Sequence, residues 1–189
     1  MLRKIFIILH NFIKSLNKNE FLEIFLVPLL ITVILYLFFN NEFNNKFNDF
    51  LKFASNFNDT VISISSLLSA FGLAAVSILI TSSNENVNKA DTINTNRKDR
   101  NNKPVSYYKL QIYRSFFSLI VQIILLGIAI VFKFLYEICL GVQILFYFEV
   151  FILIVAIISQ LLTIVSMYYL FVKIKKYILS SSKVNHTTA

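Results

Sequence analysis

Four polar side chains lie inside long apolar stretches of the sequence, where hydrogen bonding is the chemistry that they can offer. They are Thr32, Ser69, Gln122 and Gln160. Each lies about 10 to 12 residues into its stretch, which at about 1.5 Å per helical residue places all four near one depth. Polar groups in hydrocarbon seek partners on neighbouring helices. We therefore predict an intramembrane polar layer with Gln122 and Gln160 at its centre.

This polar layer has two interpretations. Its hydrogen bonds either hold the helices together, at about 0.6–2 kcal/mol each, or they line a pore or ligand cavity when several copies assemble. The second apolar stretch also carries small residues at helical spacing, which let helix backbones approach closely. These residues are Ser66, Ala70, Gly72 and Ala74. We predict a tight helix–helix interface there, within one copy or between copies.

The sequence lacks the residue patterns of catalytic and metal sites. His10 and His186 lie at opposite ends of the chain, and Cys139 is the single cysteine. The three glycines form no phosphate-binding loop, and no serine lies in a nucleophile-elbow motif. We therefore expect no enzyme activity, no cofactor and no metal.

Glu149 lies within the fourth apolar stretch, eight residues after Gly141. An acidic residue in a membrane span is a candidate functional group. The alternative is an interfacial carboxylate near Lys133, and the sequence favours this second interpretation.

These residues belong to a chain in which apolar blocks dominate. Hydrophobic residues make up 57% of the 189 positions. Four blocks reach the roughly 20 residues that a helix needs to cross a hydrocarbon core of about 30 Å. The sequence predicts an all-α integral membrane protein whose four-helix domain covers residues 21–172. The predicted spans are residues 21–39, 60–82, 112–132 and 142–172.

Shorter segments flank these spans. Residues 1–20 place basic and apolar side chains on opposite faces, which predicts an amphipathic helix lying in the membrane interface. A signal peptide is the rival interpretation, but the apolar core "IFIIL" is short and no small-residue cleavage site follows it. Residues 40–59 carry phenylalanines at helical spacing and predict a short helix on the outer surface. The basic tail, residues 173–189, is predicted to be disordered.

Basic residues are distributed unevenly along the chain. The segments 1–20, 83–114 and 173–189 hold 15 of the 18 Lys and Arg residues. With four spans these segments share one side of the membrane, and basic loops remain in the cytoplasm. We therefore predict an inner-membrane protein with both termini cytoplasmic. The abundance of Ile, Asn, Lys and Phe indicates an AT-rich bacterial genome.

The central basic strip is the predicted contact surface. Its strongest cluster is Arg97, Lys98, Arg100 and Lys103. Such charges orient the chain and contact anionic lipid, at about 1 kcal/mol per residue near the surface. The strip is longer than a minimal turn and also holds Asp91 and Asp99, so it is the first candidate for docking a soluble partner. We expect no direct contact with nucleic acid.

The first span contains the sequence "VPLL" (Val27–Leu30), and an Asn-rich segment follows it. In these features, and in length, span count and arrangement, most of the chain resembles the membrane subunits of the Kiwa antiphage defence system. The resemblance implies a homo-oligomer that senses infection at the inner membrane. It also implies a soluble cytoplasmic partner with nucleic-acid activity, recruited to the basic inner face.

Three functions follow from these observations. The leading hypothesis is a sensor or anchor subunit that docks a soluble partner on its cytoplasmic face. The second is a pore-forming, holin-like effector that depolarises the membrane. The third is an accessory subunit of a transporter.

Overall fold

The computed structural model describes residues 2–43, 46–81, 85–136 and 142–170, and helix accounts for 88% of them. Four helices are long and apolar enough, by length and composition, to cross a membrane. They are Lys18–Glu42, Phe47–Thr81, Tyr107–Leu135 and Val142–Tyr168. The prediction of a largely helical chain with four potential membrane spans is confirmed.

Shorter elements precede and connect these helices. In chain order the elements are α1 (Leu2–Ser15), α2 (Lys18–Phe21), a π-helical segment (Leu22–Leu26), α3 (Val27–Glu42), α4 (Phe47–Thr81), α5 (Glu85–Thr92), β1 (Asn94–Lys98), β2 (Pro104–Ser106), α6 (Tyr107–Leu135) and α7 (Val142–Tyr168). The first span is therefore a continuous helical run from α2 through the π-helical segment into α3.

Pro28 explains the wide turn in the first span. A proline ring clashes with the carbonyl group four residues earlier, which here belongs to Ile24. Ile24 lies in the π-helical segment, where the Val27 N–H bonds to the carbonyl of Leu22, five residues back. The widened turn accommodates the proline without ending the helix.

Helix α6 is central to the bundle. It packs against α4, α7 and α1, whereas α3 packs mainly against α7. The part of α6 nearer Asp59 is buried through apolar side chains, with Leu125, Ala129 and Phe132 at 0% exposure. Because lipid is as apolar as leucine, such side chains stabilise helix contacts in a bilayer through van der Waals packing rather than through removal from water.

The helices α4 and α7 run antiparallel to α6. Lys133 Nζ lies 2.7 Å from Asp59 Oδ1 at one end of the bundle, and Tyr108 Oη lies 3.0 Å from the Leu79 carbonyl at the other. Hydrogen bonds between α6 and α7 follow the same antiparallel order. We call the end near Asp59 the aromatic end and the end that carries β1 and β2 the hairpin end.

Residues 47–59 do not form a separate surface helix, contrary to the prediction. They are the first part of α4, which is 35 residues long. Phe50 is 2% exposed, and its ring centroid lies 5.4 Å from that of Phe146 in α7. Phenylalanines at helical spacing fit either a surface helix or a packed one. Here Phe50 is buried and Phe53 and Phe57 are half-buried against α3 and α7. Phe47 remains 50% exposed.

Helix α6 begins five residues before the predicted span because Ser106 caps it. Ser106 Oγ accepts a hydrogen bond from the Lys109 N–H at 3.2 Å, which is the geometry of an N-cap. The end of the predicted fourth span, residues 171–172, and the tail, residues 173–189, lie outside the described residues.

Helix α1 packs on the bundle at the hairpin end. Phe12 is 1% exposed, and its ring stacks on that of Phe117 at a centroid distance of 3.9 Å. Leu9 and Leu16 lie against the same core, whereas Ile13 is 51% exposed. Helix α6 therefore covers part of the apolar face that the sequence analysis assigned to lipid.

The connection at residues 83–111 contains an antiparallel hairpin of β1 and β2 that the sequence analysis did not predict. Asp99 builds its turn, since Oδ1 accepts hydrogen bonds from the Asn101 and Lys103 N–H groups at 2.8 and 2.9 Å. Asn102 adopts a φ of 59°, a left-handed conformation that asparagine tolerates. A short polar hairpin without apolar alternation gives little sequence signal.

Candidate functional site

One carboxylate joins the hairpin to the bundle. Glu20 of α2 accepts two hydrogen bonds from the Arg97 guanidinium, at 2.5 and 2.9 Å, and another from Arg114 Nη2. The side chains of Arg97 and Glu20 are each 15% exposed, and that of Arg114 is 9% exposed. We call this partly buried cluster, with its net single positive charge, the junction.

Further hydrogen bonds extend the junction to other elements. Arg97 Nη1 donates to the Ser15 carbonyl at the end of α1, at 3.0 Å. Arg114 Nη1 donates to Ser166 Oγ of α7. One network therefore links α1, α2, the hairpin, α6 and α7 at the hairpin end.

The low exposure of the junction makes it energetically important. Removing one partner of a buried ion pair costs about 3–5 kcal/mol, because the remaining charge is left uncompensated. At 15% exposure water screens part of this energy, so the lower end of the range applies to Glu20. The loss of Glu20 would also leave two guanidinium groups facing each other.

The hairpin presents three of the four predicted contact residues to solvent. Lys98, Arg100 and Lys103 are exposed, whereas Arg97 is occupied by the junction. Successive side chains in a strand point to opposite faces, which separates Arg97 from Lys98. Arg97 thus differs from the other three predicted contact residues, because its guanidinium is paired with Glu20. The Arg100 N–H donates to Asn11 Oδ1 at 3.3 Å, which holds the hairpin tip beside α1.

The two acidic residues of the strip serve the local fold. Asp91 Oδ1 accepts a hydrogen bond from Ser106 Oγ at 2.6 Å, and Asp99 closes the hairpin turn. Their presence among the cations is explained by these bonds and gives no independent sign of a docking site.

Gln122 and Gln160 form a direct hydrogen bond in the bundle interior. Gln122 Nε2 donates to Gln160 Oε1 at 2.8 Å and to Ser118 Oγ at 3.0 Å. Ser118 Oγ donates to the same Gln160 oxygen at 2.8 Å. These three buried side chains link α6 to α7. Ser118 is a member that the sequence analysis missed, since a single serine among apolar residues commonly bonds within its own helix.

The other two predicted members of the polar layer make no hydrogen bond to this group. Thr32 Oγ1 donates to the Pro28 carbonyl within its own helix, at 2.8 Å. Ser69 Oγ has no hydrogen-bond partner among the described residues. Counting residues gives a depth, but the direction of each side chain depends on helix rotation.

Gly72 allows α4 to approach the glutamine pair. A Cβ at this position would lie 2.7 Å from Gln122 Oε1 and 3.3 Å from Leu119 Cδ1. The predicted small-residue interface therefore divides in two. Gly72 packs inside the bundle, whereas Ser66, Ala70 and Ala74 are exposed on its outside.

A groove of about 380 Å³ between α4 and α7 adjoins this outer face. Its lining includes Phe71, Ala74, Ile164 and Gln160. Gln160 Oε1 accepts two hydrogen bonds, but Nε2 donates none to the residues that the structure describes. A helix that enters the groove could therefore come close to the backbone of α4. It would also meet Gln160 Nε2, which donates no hydrogen bond to the described residues.

The junction has a weak signal in the sequence. Arg114 lies near the start of the predicted third span, and a cation there requires a counter-charge. Glu20 and Glu23 both lie at the same end of the first span, so either could supply it. Glu23 is exposed, and only the helix rotation identifies Glu20 as the partner.

Glu149 is completely buried, at 0% exposure. Neither of its carboxylate oxygens has a hydrogen-bond partner among the described residues. Lys133 pairs instead with Asp59, at 2.7 Å. The interpretation of Glu149 as an interfacial carboxylate beside Lys133 is therefore wrong.

Within the described ranges, no group of three or more His, Cys, Asp and Glu side chains is placed to hold a metal ion. Comparison of the chain with protein-family models, with curated proteins and with solved structures gave no match.

Proposed function

We propose that the protein is a bacterial inner-membrane sensor or anchor subunit that docks a soluble partner on its cytoplasmic face. The fixed hairpin is the observation that supports this most. Its tip exposes Lys98, Arg100 and Lys103, while the junction holds its base on the bundle. A preformed surface loses less conformational entropy on binding than a flexible loop. The resemblance to Kiwa membrane subunits implies the same role.

In this proposal the hairpin end lies in the cytoplasm, as the distribution of Lys and Arg requires. Helix α1 then lies at the inner interface. Phe6 and Ile13, which are 66% and 51% exposed, reach lipid, while the exposed Arg3 and Lys14 meet anionic headgroups. The partner is a soluble protein with an acidic surface, because a cationic patch attracts and orients the opposite charge.

The proposal includes assembly of several copies through the groove between α4 and α7. Ser66, Ala70 and Ala74 would let a helix of a second copy approach closely. Gln160 Nε2 would find an acceptor on that helix, which strengthens association in hydrocarbon.

Charge removal at the hairpin tip tests the docking proposal. A photoreactive amino acid at Asn101 would crosslink the soluble partner in intact bacteria. Replacing Lys98, Arg100 and Lys103 together with Gln is expected to reduce that crosslink about tenfold, if each charge contributes about 0.5 kcal/mol. Arg97 is left unchanged, because its substitution would disturb the junction.

The matched control replaces Lys46 and Lys52, two exposed cations near the aromatic end, with Gln. This control is expected to retain the full crosslink. An unchanged yield in the triple variant would contradict the proposal. Crosslinks to lipid alone would assign the tip charges to membrane orientation.

A pore-forming effector is the alternative. It is favoured by polar atoms without hydrogen-bond partners inside the described part of the bundle, among them Asn58 Oδ1, Ser69 Oγ and Gln122 Oε1. Assembled copies could join such atoms into a polar path. Overexpression alone would then collapse the membrane potential, which a potential-sensitive dye measures, whereas a docking subunit would leave the potential unchanged.

A further inference from the structure

We propose that Glu149 is a proton-binding site inside the bundle, where it carries a protonated carboxyl group. The side chain is 0% exposed, and both oxygens lack a partner among the described residues. It lies one residue from Val150 and one helical turn from Phe146, both buried in an apolar cluster. About 10 Å of helix separates it from the start of α7 at Val142.

Asn58 of α4 is a buried polar side chain at a similar depth. The rings of Phe57 and Phe146 lie 5.3 Å apart, and α4 and α7 run in the same direction. At about 1.5 Å per residue, Asn58 lies about 3 Å closer to the aromatic end than Glu149. Asn58 is 1% exposed, and its Oδ1 also lacks a partner. These two side chains therefore hold three acceptor oxygens that need donors.

A single proton removes the buried charge and supplies one of the missing donors. An isolated ionised carboxylate loses its hydration in an apolar interior without a compensating partner, so such a group takes up a proton instead. The protonated carboxyl group gains one O–H donor, for which Asn58 Oδ1 is an acceptor without another partner among the described residues. The buried oxygen of Ser69 lies about 16 Å further along α4 than Asn58.

A metal cation fits these residues poorly. Hard cations such as Mg²⁺ and Ca²⁺ take about six to eight oxygen ligands. Within the described residues, Glu149 and Asn58 together supply three. The proton is therefore the cation that this site accommodates.

The charged and titratable groups nearest in depth are engaged elsewhere. Asp59 of α4 and Lys133 of α6 pair with each other and are 57% and 58% exposed. The rings of Tyr36 in α3 and Tyr147 in α7 pack together, with centroids 5.1 Å apart. Glu149 is thus the carboxyl group that lies in the apolar interior at this depth.

Dicyclohexylcarbodiimide, an apolar reagent that adds to protonated carboxyl groups, tests the proposal on the full chain in membrane vesicles. The carboxyl proton moves to a carbodiimide nitrogen, and the carboxyl oxygen bonds to the central carbon. The adduct then rearranges to an N-acylurea without any leaving group. Peptide mass spectrometry is expected to find severalfold more adduct at Glu149 than at the exposed Glu23 and Glu42, and less adduct in alkaline buffer.

The variant Glu149→Gln is the control, since it keeps the size of the side chain and removes the proton site. It is expected to fold and to carry no adduct at this position. Infrared spectroscopy gives a second measurement that does not depend on reagent access. The C=O stretching band of a carboxylic acid should be present in the wild type and missing from Glu149→Gln.

Three results would overturn the proposal. The first is the absence of that infrared band from the wild-type protein. The second is an adduct at Glu149 no more abundant than at Glu23. The third is protection from the reagent by sodium chloride but not by choline chloride, which would assign the site to sodium.

Discussion

The side chain of Gln122 illustrates how a single residue acquires a fixed position in the bundle. Its Nε2 donates hydrogen bonds to Ser118 Oγ and Gln160 Oε1. Its Oε1 lies 2.7 Å from the position that a Cβ on Gly72 would occupy, which is closer than non-bonded contact allows. The amide cannot move away without breaking at least one hydrogen bond. The absence of a Cβ at Gly72 is therefore a condition for the α6–α7 hydrogen bonds.

Substituting Gly72 tests this dependence. Gly72→Ala is expected to be less stable than Gly127→Ala by about 1–2 kcal/mol, because the new methyl group displaces the Gln122 amide. Gly127 is a matched control: both variants gain about 1 kcal/mol of helix propensity, and a Cβ at Gly127 meets no atom within 4 Å. The measurement is the free energy of unfolding in detergent. Equal stabilities would contradict the proposed contact.

The sequence identifies some of these residues and not others. Gln122 and Gln160 stand out because a glutamine within an apolar stretch has few ways to satisfy its amide. Glu20 does not stand out, since its partners Arg97 and Arg114 are 77 and 94 positions away. Glu149 is visible as an acid in a span, but its burial depends on the rotation of α7.

The hairpin is the element whose placement depends most on distant residues. Strands β1 and β2 contain few apolar side chains of their own, and an isolated two-stranded hairpin is marginally stable. Glu20 stabilises the hairpin by pairing with Arg97 of β1. The same carboxylate pairs with Arg114, which fixes it on α6. The position of the hairpin is thus set by a residue of the first span.

The substitution Glu20→Gln is expected to release the hairpin. Loss of the carboxylate should cost about 3 kcal/mol after solvent screening, which shifts local opening roughly 100-fold. Hydrogen–deuterium exchange of the backbone at residues 94–106 measures that opening. Glu23→Gln, on the exposed side of the same segment, should leave exchange unchanged. Slow exchange in both variants would show that the junction does not hold the hairpin.

At the scale of the whole molecule, four helices with polar connections could be predicted from hydropathy alone. Helix ends could not, because the phenylalanines of residues 47–59 fit a surface helix until Phe146 is seen to pack against Phe50 and Phe57. The hairpin also escaped prediction, since asparagine-rich segments have no periodic apolar pattern. Hydropathy measures the transfer of a segment from water to lipid, whereas the helix ends and the hairpin depend on contacts between elements.

Orientation is the property of the whole molecule that one labelling experiment determines. In a Cys139→Ser background, cysteines replace Asn56 near the aromatic end and Asn96 in β1, both of which are exposed. A membrane-impermeant maleimide is expected to label position 56 on intact cells. Position 96 should react only after permeabilisation, because basic segments remain in the cytoplasm. Labelling of position 96 on intact cells would contradict this orientation and place the hairpin outside the cell.

The wide turn before Pro28 also sets the rotational phase of the first span. Glu20 and Thr32 are twelve residues apart, which in an uninterrupted α-helix corresponds to a rotation of about 120°. The π-helical segment, Leu22–Leu26, absorbs about one residue, and this reduces the rotation to about 20°. Glu20 therefore lies on the same side as the buried Thr32. A chain in which this turn became regular α-helix without losing a residue would return to a rotation of about 120° and direct the Glu20 carboxylate away from the bundle.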